Sequence, residues 1–213
     1  MASSALLVAH RSGNTVETAH RDEDRADVIE LDVHVHRGRV VVRHEKVLRP
    51  TSRLWERWYL LPAGTPVPTI DEVLDVLDEN TPLLLDLKCF TRRAGRRIRR
   101  AVPGRRPLIV SCRTWWVLGA FGDRPDTTLL RSCGSDRQLR LATWWPGLGP
   151  RRGLVVHQRL LDPDVVRDLR RRTPEVFTWA VTTRDRAREL VEAGVTGLIV
   201  DDLSIAWPPP EAP

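Results

Sequence analysis

Short apolar runs alternate with amphipathic stretches along the chain. The runs are ALLVA (5–9), DVIELDV (27–33), LLLDL (83–87), PLIVSC (107–112), TTLLRSC (127–133), GLVVHQ (153–158), VFTWAV (176–181) and GLIVD (197–201). Each has strand length and a near-continuous apolar character, the mark of a strand covered on both faces. The stretches TVETAHRDE (15–23), TIDEVLDVLDE (69–79), RAGRRIRRAV (93–102), TWWVLGAFG (114–122), DRQLRLATWW (136–145), PDVVRDLRRR (163–172) and RDRARELVEAG (184–194) read as helices. Strand and helix in alternation predict parallel strands with crossover helices. Eight such strands predict a closed (β/α)8 TIM barrel. One segment breaks the rhythm: HRGRVVVRH (36–44) reads as a hairpin that leaves the second strand and carries His44 back toward the same end. No linker or composition shift divides the chain, so one domain is expected over residues 1–207, followed by a Pro-rich tail at 208–213 that can hold neither helix nor central strand.

At 213 residues the chain is long enough for one sizeable core. Its net charge of +6 is carried by arginine, because only Lys46 and Lys88 are lysines. Arginine runs such as RRAGRRIRR and RDLRRRT fall on predicted helices, where they cover solvated faces, so no nucleic-acid partner is expected. No run approaches the length of a membrane span, and ALLVA is too short for a secretory signal. Cys89, Cys112 and Cys133 are odd in number and lack metal-ligand spacing, so they read as reduced, buried residues. Together these features point to the cytoplasm. Trp115 and Trp116 are adjacent and cannot both face a core, which leaves peripheral lipid or partner contact open.

The chemistry concentrates near strand ends. Glu30 and Asp32 leave one face of their strand together, and two close carboxylates repel unless a cation separates them. Asp86 and Lys88 repeat that spacing on the next barrel strand. Glu30, Asp32 and Asp86 are therefore candidate ligands for a hard divalent cation, Mg2+ or Ca2+. His10 and His44 are candidate proton shuttles, since imidazole titrates near neutrality. Arg11 and Lys88 offer fixed positive charge for phosphate oxygens, although each could instead neutralise the acids. His34 and His36 continue the Glu30 face and are rival ligands or, as we read them, residues of the hairpin. Barrel enzymes place their chemistry at the C-terminal strand ends, where His10, Glu30, Asp32, Asp86 and Trp179 fall.

These elements, in this order, resemble the glycerophosphodiester phosphodiesterase family along the whole chain. The matching pieces are His10-Arg11 after the first strand, GNTVETA, ADVIELDV with its Glu-x-Asp, RVVVRHE ending near a catalytic histidine, VFTWAVTT with a pocket tryptophan, and GVTGLIVDD as the closing strand. The resemblance implies hydrolysis of a small-molecule glycerophosphodiester to an alcohol and glycerol 3-phosphate. In it, His10 and His44 are catalytic, Glu30, Asp32 and Asp86 bind metal, and Arg11, Lys88 and Trp179 contact substrate. Three positions depart from the family's pattern: Ser12 stands for glycine, Glu45 for aspartate and Asp86 for glutamate. Asp86 with Lys88 is also similar to the related sphingomyelinase D type of phospholipase. The alternatives are thus a phospholipase D-like lyase on choline or ethanolamine lipids, or a non-catalytic barrel that binds phosphorylated ligands.

Overall fold

The computed structural model describes residues 5–48, 53–56, 59–62, 64–144 and 152–205. Eight strands form a closed parallel barrel: β1 (Leu6–Ala9), β2 (Val28–His36), β7 (Leu83–Leu87), β8 (Leu108–Cys112), β9 (Thr127–Cys133), β10 (Arg152–His157), β11 (Glu175–Trp179) and β12 (Gly197–Val200). The first strand closes the ring, pairing with β12 on one side and with β2 on the other. The predicted (β/α)8 barrel is the observed fold. Past the barrel rim β2 continues into an antiparallel hairpin with β3 (Arg39–Val42). Its two-residue turn has positive φ at both Arg37 and Gly38, the geometry whose twist matches that of a tight hairpin. A further small antiparallel sheet, β4 (Lys46–Leu48), β5 (Arg53–Glu56) and β6 (Tyr59–Leu60), follows it and was not visible in the hydropathy pattern.

Among the described residues six α-helices lie between strands: α1 (Val16–Asp22), α2 (Ile70–Leu74), α3 (Arg92–Ala101), α4 (Asp136–Trp144), α5 (Pro163–Arg172) and α6 (Arg184–Ala193). Threonine or aspartate caps most of them, and Thr69 with Glu72 forms a complete capping box on α2. That helix is shorter than the pattern suggested, ending at Leu74. The expected helix between β8 and β9 is instead a 3-10 helix at Trp115–Ala120. There α3 approaches closely: a Cβ on Gly95 would lie 2.9 Å from both Val117 and Ala120 side chains. Arginine is not confined to solvated faces. Arg106 and Arg124 are buried and donate to backbone carbonyls, Arg124 to those of Val102, Pro103 and Arg106. Among the described residues no helix is long and apolar enough to cross a membrane. The Pro-rich tail falls outside the described residues.

The barrel interior is plugged by Val8, Val28, Leu84, Ile109, Leu130, Val155, Phe177 and Ile199, one residue from each strand. Side chains alternate across a strand, so the residue two further along each strand also faces inward, one layer nearer the C-terminal rim. That layer reads His10, Glu30, Asp86, Ser111, Ser132, His157, Trp179 and Asp201. A dry apolar floor therefore carries a polar ring directly above it.

Candidate functional site

Glu30 and Asp32 are buried, and Asp86 is half-buried beside them. Ligand oxygens of the three lie within 4.8 Å of one another. Parallel pairing brings this about, since Asp32 and Asp86 are register partners on β2 and β7. Burial, then the charges of Asp32 and Asp86, push the Glu30 carboxyl well above its usual range. Burial also pushes Asp32 up, but the charge and hydrogen bond of Lys88, with the charge of His44 and the hydrogen bond of Asn14, together hold Asp32 low. Three acids at this spacing share one full ammonium contact and carry only hard oxygen donors, so the set fits a hard divalent cation.

Lys88 Nζ lies 2.7 Å from Asp32 Oδ1 and in contact with Asp86 Oδ2. It thus bridges two of the candidate ligands, the arrangement weighed above as neutralisation of the acids. Although burial disfavours its charge, Asp86 and Asp32 raise its pKa. Ser111, which was not anticipated, donates to Asp86 Oδ1 at 2.8 Å. Asn14 was likewise not singled out. Its amide donates to Asp32 Oδ2 at 2.8 Å and its oxygen accepts from Asp32 N at 2.9 Å, so it locks that carboxylate to the loop after β1.

That loop turns at Arg11, whose φ of 54° is left-handed and costs about a kcal/mol or more for a non-glycine residue. The turn aims the Arg11 backbone N–H at Glu30 Oε2, 2.5 Å away, and leaves Arg11 Nε 3.7 Å from Asp32 Oδ2. Ser12, where the resembling family has glycine, is buried and donates to Asp22 at 2.8 Å, tying the loop to α1. Gly13 follows because a Cβ there would lie 2.4 Å from the Leu31 side chain.

His10 Nδ1 is 2.7 Å from Asp201 Oδ1. Asp201 was missed as a site residue, although the closing strand was recognised. The hydrogen bond from His10 is the main cause holding the Asp201 carboxyl low, so it accepts and Nδ1 carries the proton. His10 Nε2 in the neutral ring is then an acceptor. His44 follows β3, close enough to Asp32 for its charge to help lower that carboxyl. His34 pairs across the hairpin with Val41, and its pKa is pushed down to about 4 by burial and then by Arg43. Neither His34 nor His36 belongs to the acidic group that could hold a metal. Across the ring, the His157 and Trp179 rings meet edge to face at 5.4 Å. His157 also had no visible partner in the sequence.

The glycerophosphoryl diester phosphodiesterase family model matches residues 105–205. That segment includes His157, Trp179 and Asp201, while His10, His44 and the acids precede it. No curated protein sequence matches the chain significantly. Among solved structures, it resembles an Oleispira antarctica phosphodiesterase in complex with the product sn-glycerol-3-phosphate, at 19% identity and TM-score 0.69 over 93% of each chain. A glycerophosphodiester phosphodiesterase from Thermotoga maritima superposes with TM-score 0.69 at 19% identity, over 94% of this chain and 96% of its own. A further structure, a glycerophosphoryl diester phosphodiesterase so designated provisionally from Silicibacter pomeroyi, gives 0.70 at 18% identity, over 97% of this chain and 92% of its own.

Proposed function

We propose that the chain is a metal-dependent phosphodiesterase that cleaves small glycerophosphodiesters to an alcohol and glycerol 3-phosphate. The carrying observation is the group of Glu30 and Asp32, both buried, with the half-buried Asp86, at the C-terminal rim of the barrel. The family match over residues 105–205 supports the same reading. Glu30, Asp32 and Asp86 would hold Mg2+ or Ca2+, which supplies stabilisation of charge on the phosphate oxygens.

His10 is the general base. With Nδ1–H directed at Asp201, Nε2 takes a proton from the attacking water, whose oxygen becomes a phosphate oxygen of glycerol 3-phosphate as the alkoxide leaves, and Asp201 steadies the imidazolium that results. His44 is the general acid and returns a proton to the departing alkoxide. Arg11 engages phosphate oxygens with its guanidinium, while Lys88 keeps Asp32 ionised and contributes charge from the other side. Trp179 forms a wall against the alcohol. The three free cysteines are buried, and burial pushes Cys89 up to about 11 and Cys112 and Cys133 up to about 12. Unreactive reduced thiols accord with a cytoplasmic setting.

A second reading, lipid-headgroup cleavage by a phospholipase D-like lyase, draws support from Phe90 and Trp116. Both are exposed after β7 and β8, and Trp116 Nε1 donates to the Phe90 carbonyl at 3.1 Å. The test uses chelator-treated protein with glycerophosphocholine or its lysolipid analogue, with and without Mg2+ or Ca2+. Cation-dependent release of glycerol 3-phosphate, abolished by Glu30→Gln, is expected. Cleavage of the lysolipid alone favours the lyase, and turnover that ignores chelation overturns the metal assignment.

A further inference from the structure

The polar ring above the barrel plug divides into two unlike halves. One half, at β12, β1, β2 and β7, pairs His10 with Asp201, and Lys88 with Asp32 and Asp86 beside Glu30. The opposite half, from β8 to β11, carries no inward carboxylate in that ring and contains a guanidinium that the phosphodiesterase chemistry does not use. Arg113, the residue after β8, is exposed and makes no hydrogen bond or ion pair with any described residue.

Arg113 borders a bare glycine and an indole. Gly134, just beyond β9, has no side chain, and the position its Cβ would take lies 3.7 Å from Arg113 Nη2, 3.7 Å from Gln138 Oε1, which accepts from the Gly134 N–H, and 3.8 Å from Trp179 Cζ2. Guanidinium and indole thus flank one point with nothing from the glycine between them. Trp179 is braced by the edge of His157, its register partner on β10. His157 Nδ1 accepts from the Arg159 backbone N–H at 3.2 Å, which leaves the neutral ring's proton on Nε2 as a donor. Arg159 Nη2 in turn donates to the Gly134 carbonyl at 2.8 Å and fixes the floor of this space.

We infer that the Arg113–Gly134–His157–Trp179 side of the mouth is a subsite for the leaving alcohol, selective for an alcohol that bears its own phosphomonoester. This rests on the phosphodiesterase reading and specifies its substrate class. A guanidinium presents a planar fork that matches phosphate oxygens two at a time, and the imidazole donor beside the indole adds a further hydrogen bond to oxygen. A quaternary ammonium at the same place would meet the Arg113 charge without a facing carboxylate to offset it. The alcohol is therefore recognised by its negative charge, while the acids and histidines across the ring act on the diester.

The test compares kcat/KM for glycerophosphoinositol 4-phosphate and glycerophosphocholine in the wild type, Arg113→Ala and Arg113→Glu. Hydrogen bonds to charged groups contribute enough for about a 10- to 100-fold effect. The wild type is expected to prefer the phosphorylated diester by at least about tenfold, mainly through KM. Arg113→Ala loses that advantage, and Arg113→Glu reverses the order by improving the choline diester. Equal changes on both diesters, or a wild-type preference for choline, overturn the inference while leaving the phosphodiesterase reading intact. Failure to cleave either diester with Mg2+ or Ca2+ sinks that reading instead. Calorimetry with inositol 4-phosphate then decides the subsite by itself: about tenfold weaker binding to Arg113→Ala upholds it, and equal or absent binding to both proteins overturns it.

Discussion

Replacing Lys88 by methionine removes the only ammonium among the candidate ligands while keeping most of the side chain's apolar volume. In the wild type Lys88 Nζ is 2.7 Å from Asp32, whose side chain is 1% exposed, and also touches Asp86. At an effective dielectric of about 20, one such contact is worth about 6 kcal/mol before desolvation is counted. Desolvation offsets part of this, and breaking a buried pair from one side typically costs about 3 to 5 kcal/mol. The variant also leaves Glu30 with less relief from its two acidic neighbours. Urea unfolding of chelated protein at pH 8 should therefore show Lys88→Met destabilised by about 3 to 5 kcal/mol. Adding Mg2+ or Ca2+ should stabilise the variant more than the wild type, because the cation then supplies the missing charge and binds the folded state preferentially. A loss below about 1 kcal/mol, or equal stabilisation of both proteins by cation, would refute the reasoning that Lys88 and a metal answer the same electrostatic demand.

Two other outcomes follow from groups around this centre. Asp201→Asn should lower kcat by about 100-fold or more, since an amide can hold His10 in the wrong tautomer, with cation affinity by calorimetry unchanged; full activity removes Asp201 as a positioning residue. His34 has its pKa lowered from 6.5 to about 4, so below pH 6.5 the unfolded chain binds more protons than the folded one. Its contribution is thus complete above pH 6.5 and lost as pH falls toward 4, by up to about 3 kcal/mol, and His34→Gln should flatten that slope in unfolding measured between those values.

The barrel was legible because eight apolar runs recur with helices between them, and parallel strands buried on both faces leave that trace. Glu30, Asp32 and Asp86 were legible as charges interrupting such runs. The same period-two rule, carried to every strand, reaches Ser111, His157 and Asp201, and these were missed because each lacks a nearby partner in sequence. Asp201 meets His10 across 191 positions. Only the register of β12 against β1 brings them together. The contacts of Lys88 with Asp32 and Asp86 were one of two readings left open, since pattern places Lys88 on a face but does not choose between a carboxylate and a substrate. The apolar spacing of Trp115–Ala120 suits a full helix and a 3-10 helix alike, and the segment is a 3-10 helix packed closely on Gly95.

The closure of the barrel makes the site separable along its seams. The proposed metal ligands come from β2 and β7, neighbours joined through five register pairs. The His10–Asp201 contact spans the joint between β1 and β12, which has four pairs, and β1 holds β2 through only two. A local opening around β1 would part histidine from aspartate and release the Arg11 and Asn14 contacts, while the β2–β7 register would still hold Glu30, Asp32 and Asp86 side by side. Cation binding and proton transfer would then fail under different stresses, so a gently denatured sample should lose turnover before it loses affinity for the proposed cation.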